Sequence, residues 1–161
     1  MGLSLSWVAV KVERRQALLE ALDLELAGEV SQEVGVGLVM AELPSGWLVL
    51  VGDAADENLL AELARASEAC GEALGAEVYD TASFSRAQAY RDGQMQWSLA
   101  SESVRGEPMS VGELPPIPPD ADGYEVPLAL AESLSGYQAG ETRGLEWLRL
   151  ARRGASRTAP P

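Results

Sequence analysis

SFSRAQAYRDGQMQWSLASE, residues 83–102, is the stretch whose reading decides the fold. Asp92-Gly93 lies between two runs of extended character, and Asp-Gly is the dipeptide that a type I′ hairpin turn requires, because both central residues take positive φ. With those two as the loop, Arg91 faces Gln94, and the pairs Tyr90 with Met95, Gln88 with Trp97 and Arg86 with Leu99 follow across the strands. One face of the expected hairpin carries the large side chains. The other collects Ala87, Ala89, Ser98 and Ala100, small enough for a second layer to approach closely, which places the hairpin in the middle of a sheet.

Outward from the hairpin, the rest of the chain reads as strands and short helices. Residues 3–12 alternate around Trp7, with Leu5, Trp7 and Ala9 on one side and Val8, Val10 and Val12 on the other, the pattern of an inner strand apolar on both faces. Residues 14–24 switch to helical spacing and end toward Gly28. VGLVMAEL and GWLVLVG form a second strand pair through Pro44-Ser45-Gly46. Asp53 is expected to cap the next helix, with Asp56 at its third position; Leu59, Leu63, Ala66 and Cys70 form its buried stripe and Gly71 ends it. Residues 76–80 lead into the hairpin. Beyond it, Pro115-Pro116-Ile117-Pro118-Pro119 reads as a stiff connection, Pro127 as the first turn of a short helix, and residues 141–153 as a last helix with Leu145, Leu148 and Ala151 inward.

The fold class that follows is α+β: a mostly antiparallel sheet of about six strands with two packing helices and a C-terminal two-helix strap. Residues 1–153 read as a single domain, with 103–123 a proline-rich connection within it and 154–161 a flexible tail. A chain of 161 residues buries a core without a metal or disulfide staple.

Composition narrows the chemistry. With no histidine and the single thiol of Cys70, the chain has no histidine general base, no Ser-His-Asp arrangement, no internal disulfide and none of the usual zinc, iron or copper ligand sets. Cys70 sits on an apolar helical stripe, the place of a small core residue. Val34-Gly35-Val36-Gly37 lacks the third glycine of a nucleotide loop and enters a strand, and the only lysine is Lys11. No cofactor is expected. No stretch approaches the roughly 20 apolar residues that span a bilayer, and the start lacks a signal-peptide pattern, so the reading is a cytoplasmic protein.

Charge supplies the functional lead. The net charge is −13; residues 1–80 hold 15 acids and 4 bases, a balance of −11, and residues 81–161 hold 10 acids and 8 bases, a balance of −2. Such a field repels nucleic acid and anionic membranes and steers toward a basic protein. The candidate binding residues are the carboxylates of Glu29, Glu33, Asp53, Asp56 and Glu57. The first expectation is a non-catalytic acidic binding domain for a basic protein partner, of which an immunity-type inhibitor is one form. The alternative is a magnesium-assisted hydrolase or lyase using Asp53, Asp56 and Glu57, since hard divalent ions take oxygen ligands. Arg86 and Arg91 stand in the hairpin as partners for carboxylates or for a tryptophan face.

The opening strand with Trp7, the Leu22-Asp23-Leu24 helix end, LPSGW at 43–47, the Asp-Gly hairpin and GYEVPLALAESLSGYQ at 123–138 together resemble a loose family of small, uncharacterised bacterial proteins. Where relatives continue after the Gly-Tyr pair with His-Asp, this chain has Gln138-Ala139. The resemblance implies no activity. By size and charge it suggests a cytoplasmic partner of a secreted toxin.

Overall fold

From Leu5 to Val10 only Ser6 is polar, and a strand of that composition is stable only with neighbours on both edges and cover on both faces. The computed structural model provides both; it describes residues 4–29, 37–54, 58–102, 108–121, 123, 125–139 and 144–152. In chain order the elements are β1 (Ser4–Lys11), α1 (Arg15–Ala21), β2 (Leu24–Glu29), β3 (Leu38–Glu42), β4 (Trp47–Asp53) and α2 (Leu63–Cys70). There follow β5 (Glu72–Tyr79), β6 (Phe84–Arg91), β7 (Gln94–Glu102), β8 (Met109–Gly112), α3 (Glu125–Ser135) and β9 (Leu148–Arg152). The strands form one sheet in the order β2-β9-β3-β4-β1-β5-β6-β7-β8, with every neighbouring pair antiparallel.

The strand alternation sorts the core into two halves. Leu5, Trp7, Ala9, Val49, Val51, Leu74, Ala76 and Val78 face α3 and the segments flanking it, which contribute Leu130, Ala131, Tyr137 and Trp147. Val8, Val10, Met40, Leu48 and Leu50 face the other way, onto Leu18 and Leu22 of α1 and Leu63, Ala66 and Cys70 of α2. β1 is the inner strand that its sequence announces.

Several expectations need correction. Among the described residues the sheet has nine strands, not about six, and there are three α-helices. The described residues form no C-terminal two-helix strap: α3 is a single helix, and residues 148–152 form β9, inserted between β2 and β3. Leu148 and Leu150 satisfy a two-residue period as well as a helical one, and the vacancy between two strands, with backbone groups waiting on both sides, decides for the strand. The helix expected to run to Leu24 stops at Ala21. Asp23, at φ 59, turns the chain, and Leu24 already begins β2.

The hairpin turn is as expected, with Asp92 at φ 50 and Gly93 at φ 86. Its register is not. Arg91 pairs with Gln94 and Tyr90 with Met95, but Ala89 then pairs with Trp97, Ala87 with Leu99 and Arg86 with Ala100, leaving Gln96 as the extra residue of a bulge. The one-residue slip moves Trp97 and Leu99 onto the face of Ala87 and Ala89, where they are buried against α3. Gly93 also anchors the helix layer: its N–H donates to Ser67 Oγ at 2.8 Å.

Candidate functional site

Of the acids singled out by sequence, Glu33, Asp56 and Glu57 lie outside the described residues, and Glu29 is described only as the last residue of β2. Asp53 ends β4, opposite Leu5. The described helical stretch starts with a 3-10 turn at Leu59, and its N-cap position is Asn58, which makes no side-chain cap, rather than Asp53.

The structure brings a different set of carboxylates together. Glu125, Leu128, Ala129 and Glu132 recur at the i, i+3, i+4, i+7 spacing of one helix stripe, and on α3 this stripe lines a cleft of about 340 Å³ with Val78, Asp80, Gln138 and Ala139. Asp80 arrives from the turn that follows β5. The lining contains three acids and no base, while Val78, Leu128, Ala129 and Ala139 supply an apolar surface. Sequence reading passed over Glu125 and Glu132, although their seven-residue spacing puts both on one helix face. Nothing in the sequence points to Asp80 joining them.

A second groove of about 340 Å³ lies on the same side of the sheet, where Trp47, Leu74, Ala89, Trp97, Pro115 and Leu134 meet. Ala89 stands between Leu74 and Trp97 in the cross-strand row, and its small side chain leaves the hollow. Lys11 Nζ sits 4.5 Å from the Trp47 ring centroid, and Arg91 pairs with Glu72 at 3.8 Å on the rim.

The opposite face carries a third polar constellation. Glu77 is only 9% exposed, its carboxylate 3.5 Å from the Arg86 guanidinium, which lies 5.4 Å from the Phe84 ring centroid. Burial pushes the Tyr79 phenol up from its ordinary range; the neighbouring Glu77 carboxylate, which accepts its hydrogen bond, and Asp53 add to the rise, and Arg86 opposes it. Such a phenol stays protonated and donates. The carboxylate is spoken for by the guanidinium and the phenol, so the cluster reads as a braced part of the sheet.

Cys70 is buried, its thiol donating to the Arg14 carbonyl at 3.7 Å, and burial raises its pKa above the usual thiol value, with Arg14 opposing. Among the described residues no three metal-ligating side chains converge on a point that would hold an ion. No described helix is long and apolar enough to cross a membrane. No family model matches the chain, and no curated protein or solved structure is significantly similar to it.

Proposed function

We propose that this protein is a non-catalytic binding domain whose α3 cleft receives a lysine or arginine side chain of a basic protein partner. The observation that carries the reading is the cleft lining: Asp80, Glu125 and Glu132 around an apolar surface, without a base among them. Long basic side chains bury an aliphatic stem and keep a charged head near polar groups, and the lining supplies apolar side chains for the first and carboxylates for the second. A metal ion needs converging oxygens, whereas a guanidinium or ammonium with several donors suits carboxylates placed apart. The chain's charge of −13 adds long-range steering toward such a partner. An immunity-type inhibitor, covering a basic surface of an effector, is the form of this function that the size and charge of the chain suit.

The test is calorimetric titration with an octapeptide of alternating lysine and arginine at low and at high salt. Binding is expected to weaken as salt rises, and Glu125→Gln/Glu132→Gln is expected to lower affinity about fivefold at low salt, from two rim contacts of about 0.5 kcal/mol each. Both residues are exposed, so the double variant keeps the fold. Equal affinity of wild type and double variant overturns the assignment of the cleft.

A further inference from the structure

The groove beside Trp47 and Trp97 ends in a charged pair. On the α3 face of the sheet Trp97 stands opposite Ala89, and Ala89 opposite Leu74. Two residues away along the same strands, and so on the same face, Glu72 stands opposite Arg91. Pro115 and Leu134 also line the groove, whose volume of about 340 Å³ lies within the range of small-ligand sites. Among the described lining residues Glu72 is the one anion and Arg91 the one cation, and they are neighbours, Oε2 lying 3.8 Å from Nη2. That separation holds an ion pair but exceeds hydrogen-bond length. With the two side chains 39% and 66% exposed, the carboxylate oxygens and the guanidinium fork remain open to a ligand. The Lys11 ammonium, 4.5 Å from the Trp47 ring centroid, packs on that ring and steadies the wall.

We infer that this groove binds a free α-amino acid with an aromatic side chain, at a site that shares no described lining residue with the acidic cleft. Charge complementarity selects the head. An α-carboxylate and an α-ammonium on one carbon lie about as close together as Glu72 and Arg91, so the carboxylate takes the Arg91 fork while the ammonium donates to Glu72. A ligand with one charge satisfies one member of the pair and meets its own sign in the other: an aromatic acid meets Glu72, an aromatic amine Arg91. A zwitterion has no net charge, so the chain's −13 does not repel it at long range. The walls select the side chain. Two indoles and Leu74 around the small Ala89 offer flat apolar surface, which a ring covers with more gain than its buried area alone. A methyl group leaves most of the hollow empty and forfeits those contacts.

The probes are L-phenylalanine, N-acetyl-L-phenylalanine, L-phenylalaninamide and L-alanine, titrated by calorimetry at about pH 6, where phenylalaninamide keeps its ammonium. The indole N–H signals of Trp47 and Trp97 are followed by NMR. Phenylalanine is expected to bind and to shift both signals, each blocked form to bind about tenfold more weakly for the loss of one charged contact, and alanine to show no binding. Arg91→Gln is expected to weaken phenylalanine about tenfold and to leave phenylalaninamide, which has no carboxylate, unchanged. Glu72→Gln is the counterpart for N-acetylphenylalanine. Neither side chain is buried, so both variants keep the fold. No phenylalanine binding at about 10 mM, or binding that leaves the Trp47 and Trp97 signals in place, overturns the site. N-acetylphenylalanine or phenylalaninamide binding as tightly as phenylalanine identifies a peptide end as the occupant and overturns the free amino acid. Equal binding of alanine overturns the aromatic side chain. Glu125→Gln/Glu132→Gln is expected to leave phenylalanine binding unchanged, so a failure of the groove leaves the acidic cleft standing; a loss in that variant would place phenylalanine in the cleft and overturn the groove.

Discussion

The Ser45 hydroxyl, in the turn between β3 and β4, donates to the carbonyl of Ser135, the last residue of α3. Two segments 90 positions apart are fastened there, the LPSGW turn and the end of the helix that forms one wall of the acidic cleft. Ser135 in turn uses its own hydroxyl within the motif, donating to the Ala131 carbonyl and accepting from the Tyr137 N–H. The contact holds α3 over the sheet and sets the direction in which Tyr137 enters the aromatic cluster with Trp7 and Trp147.

Ser45→Ala is expected to cost about 1 kcal/mol, the usual net worth of one such bond. Gly136→Ala is expected to cost about 1–2 kcal/mol, because the position has φ +86 and a new Cβ would approach Ser45 to 3.0 Å. Urea denaturation of both variants measures this; a neutral Ser45→Ala would mean that the turn does not hold the helix.

Arg152 ties the last strand to the helix layer: Nη1 donates to Glu62 Oε1 at 2.9 Å and to the Leu22 carbonyl at 3.3 Å. Glu62 Oε2 is buried with no hydrogen-bond partner, so the carboxylate depends on this cation. Arg152→Met is expected to destabilise by about 1–3 kcal/mol, and Arg152→Met/Glu62→Met to recover most of the loss, since removing both charges removes the desolvation cost. Additive losses in the double-mutant cycle would show that the pair is not coupled.

Leu150 is 5% exposed in β9, between β2 and β3. Leu150→Ala is expected to cost about 2–4 kcal/mol as a core truncation, while Arg149→Ala, at an exposed position of the same strand, stays within about 0.5 kcal/mol. Equal small effects at both positions would return this segment to the periphery.

Ser67 Oγ accepts from the Gly93 N–H and donates to the Ala64 carbonyl at 2.9 Å, fully buried. Ser67→Ala is expected to cost about 1–3 kcal/mol, because it leaves the turn N–H without its partner. Hydrogen exchange at Gly93 accelerates in parallel; unchanged protection there would dissolve the link between α2 and the hairpin.

The alkaline side of the stability curve follows from two raised pKa values. Burial raises Cys70 above 9.0 and Tyr79 above 10.0. In each case the folded state holds its proton after the unfolded state has lost it, so the contribution is complete below the unfolded pKa and is lost as pH rises toward the folded one. Stability is expected to decline from about pH 9 upward, and Tyr79→Phe to flatten the part of the decline above pH 10. Urea midpoints between pH 7 and 11 decide it. An unchanged slope in Tyr79→Phe would remove Tyr79 from the account.

Much of this architecture is legible in local pattern. The two-sided apolar run around Trp7, the Pro44-Ser45-Gly46 turn, the Asp92-Gly93 turn and the helix stop at Gly71 are all set by side-chain periodicity or by residues that tolerate positive φ. Each depends on neighbours within a few positions, so the sequence determines them unaided. The same holds for the narrowed chemistry: without histidine, and with its one thiol on a buried helical stripe, the chain has few catalytic groups to assemble. Tertiary structure decided the rest. Leu148 to Arg152 fit helix and strand alike, and only the gap between β2 and β3, closed by backbone hydrogen bonds on both sides, selects the strand. The bulge at Gln96 depends on where Trp97 finds burial against α3, which no hairpin rule contains. The acidic cleft depends on docking: helical spacing aligns Glu125 with Glu132, but Asp80 joins them only because the end of β5 passes beneath α3, a proximity that arises from packing and leaves no mark in the local sequence.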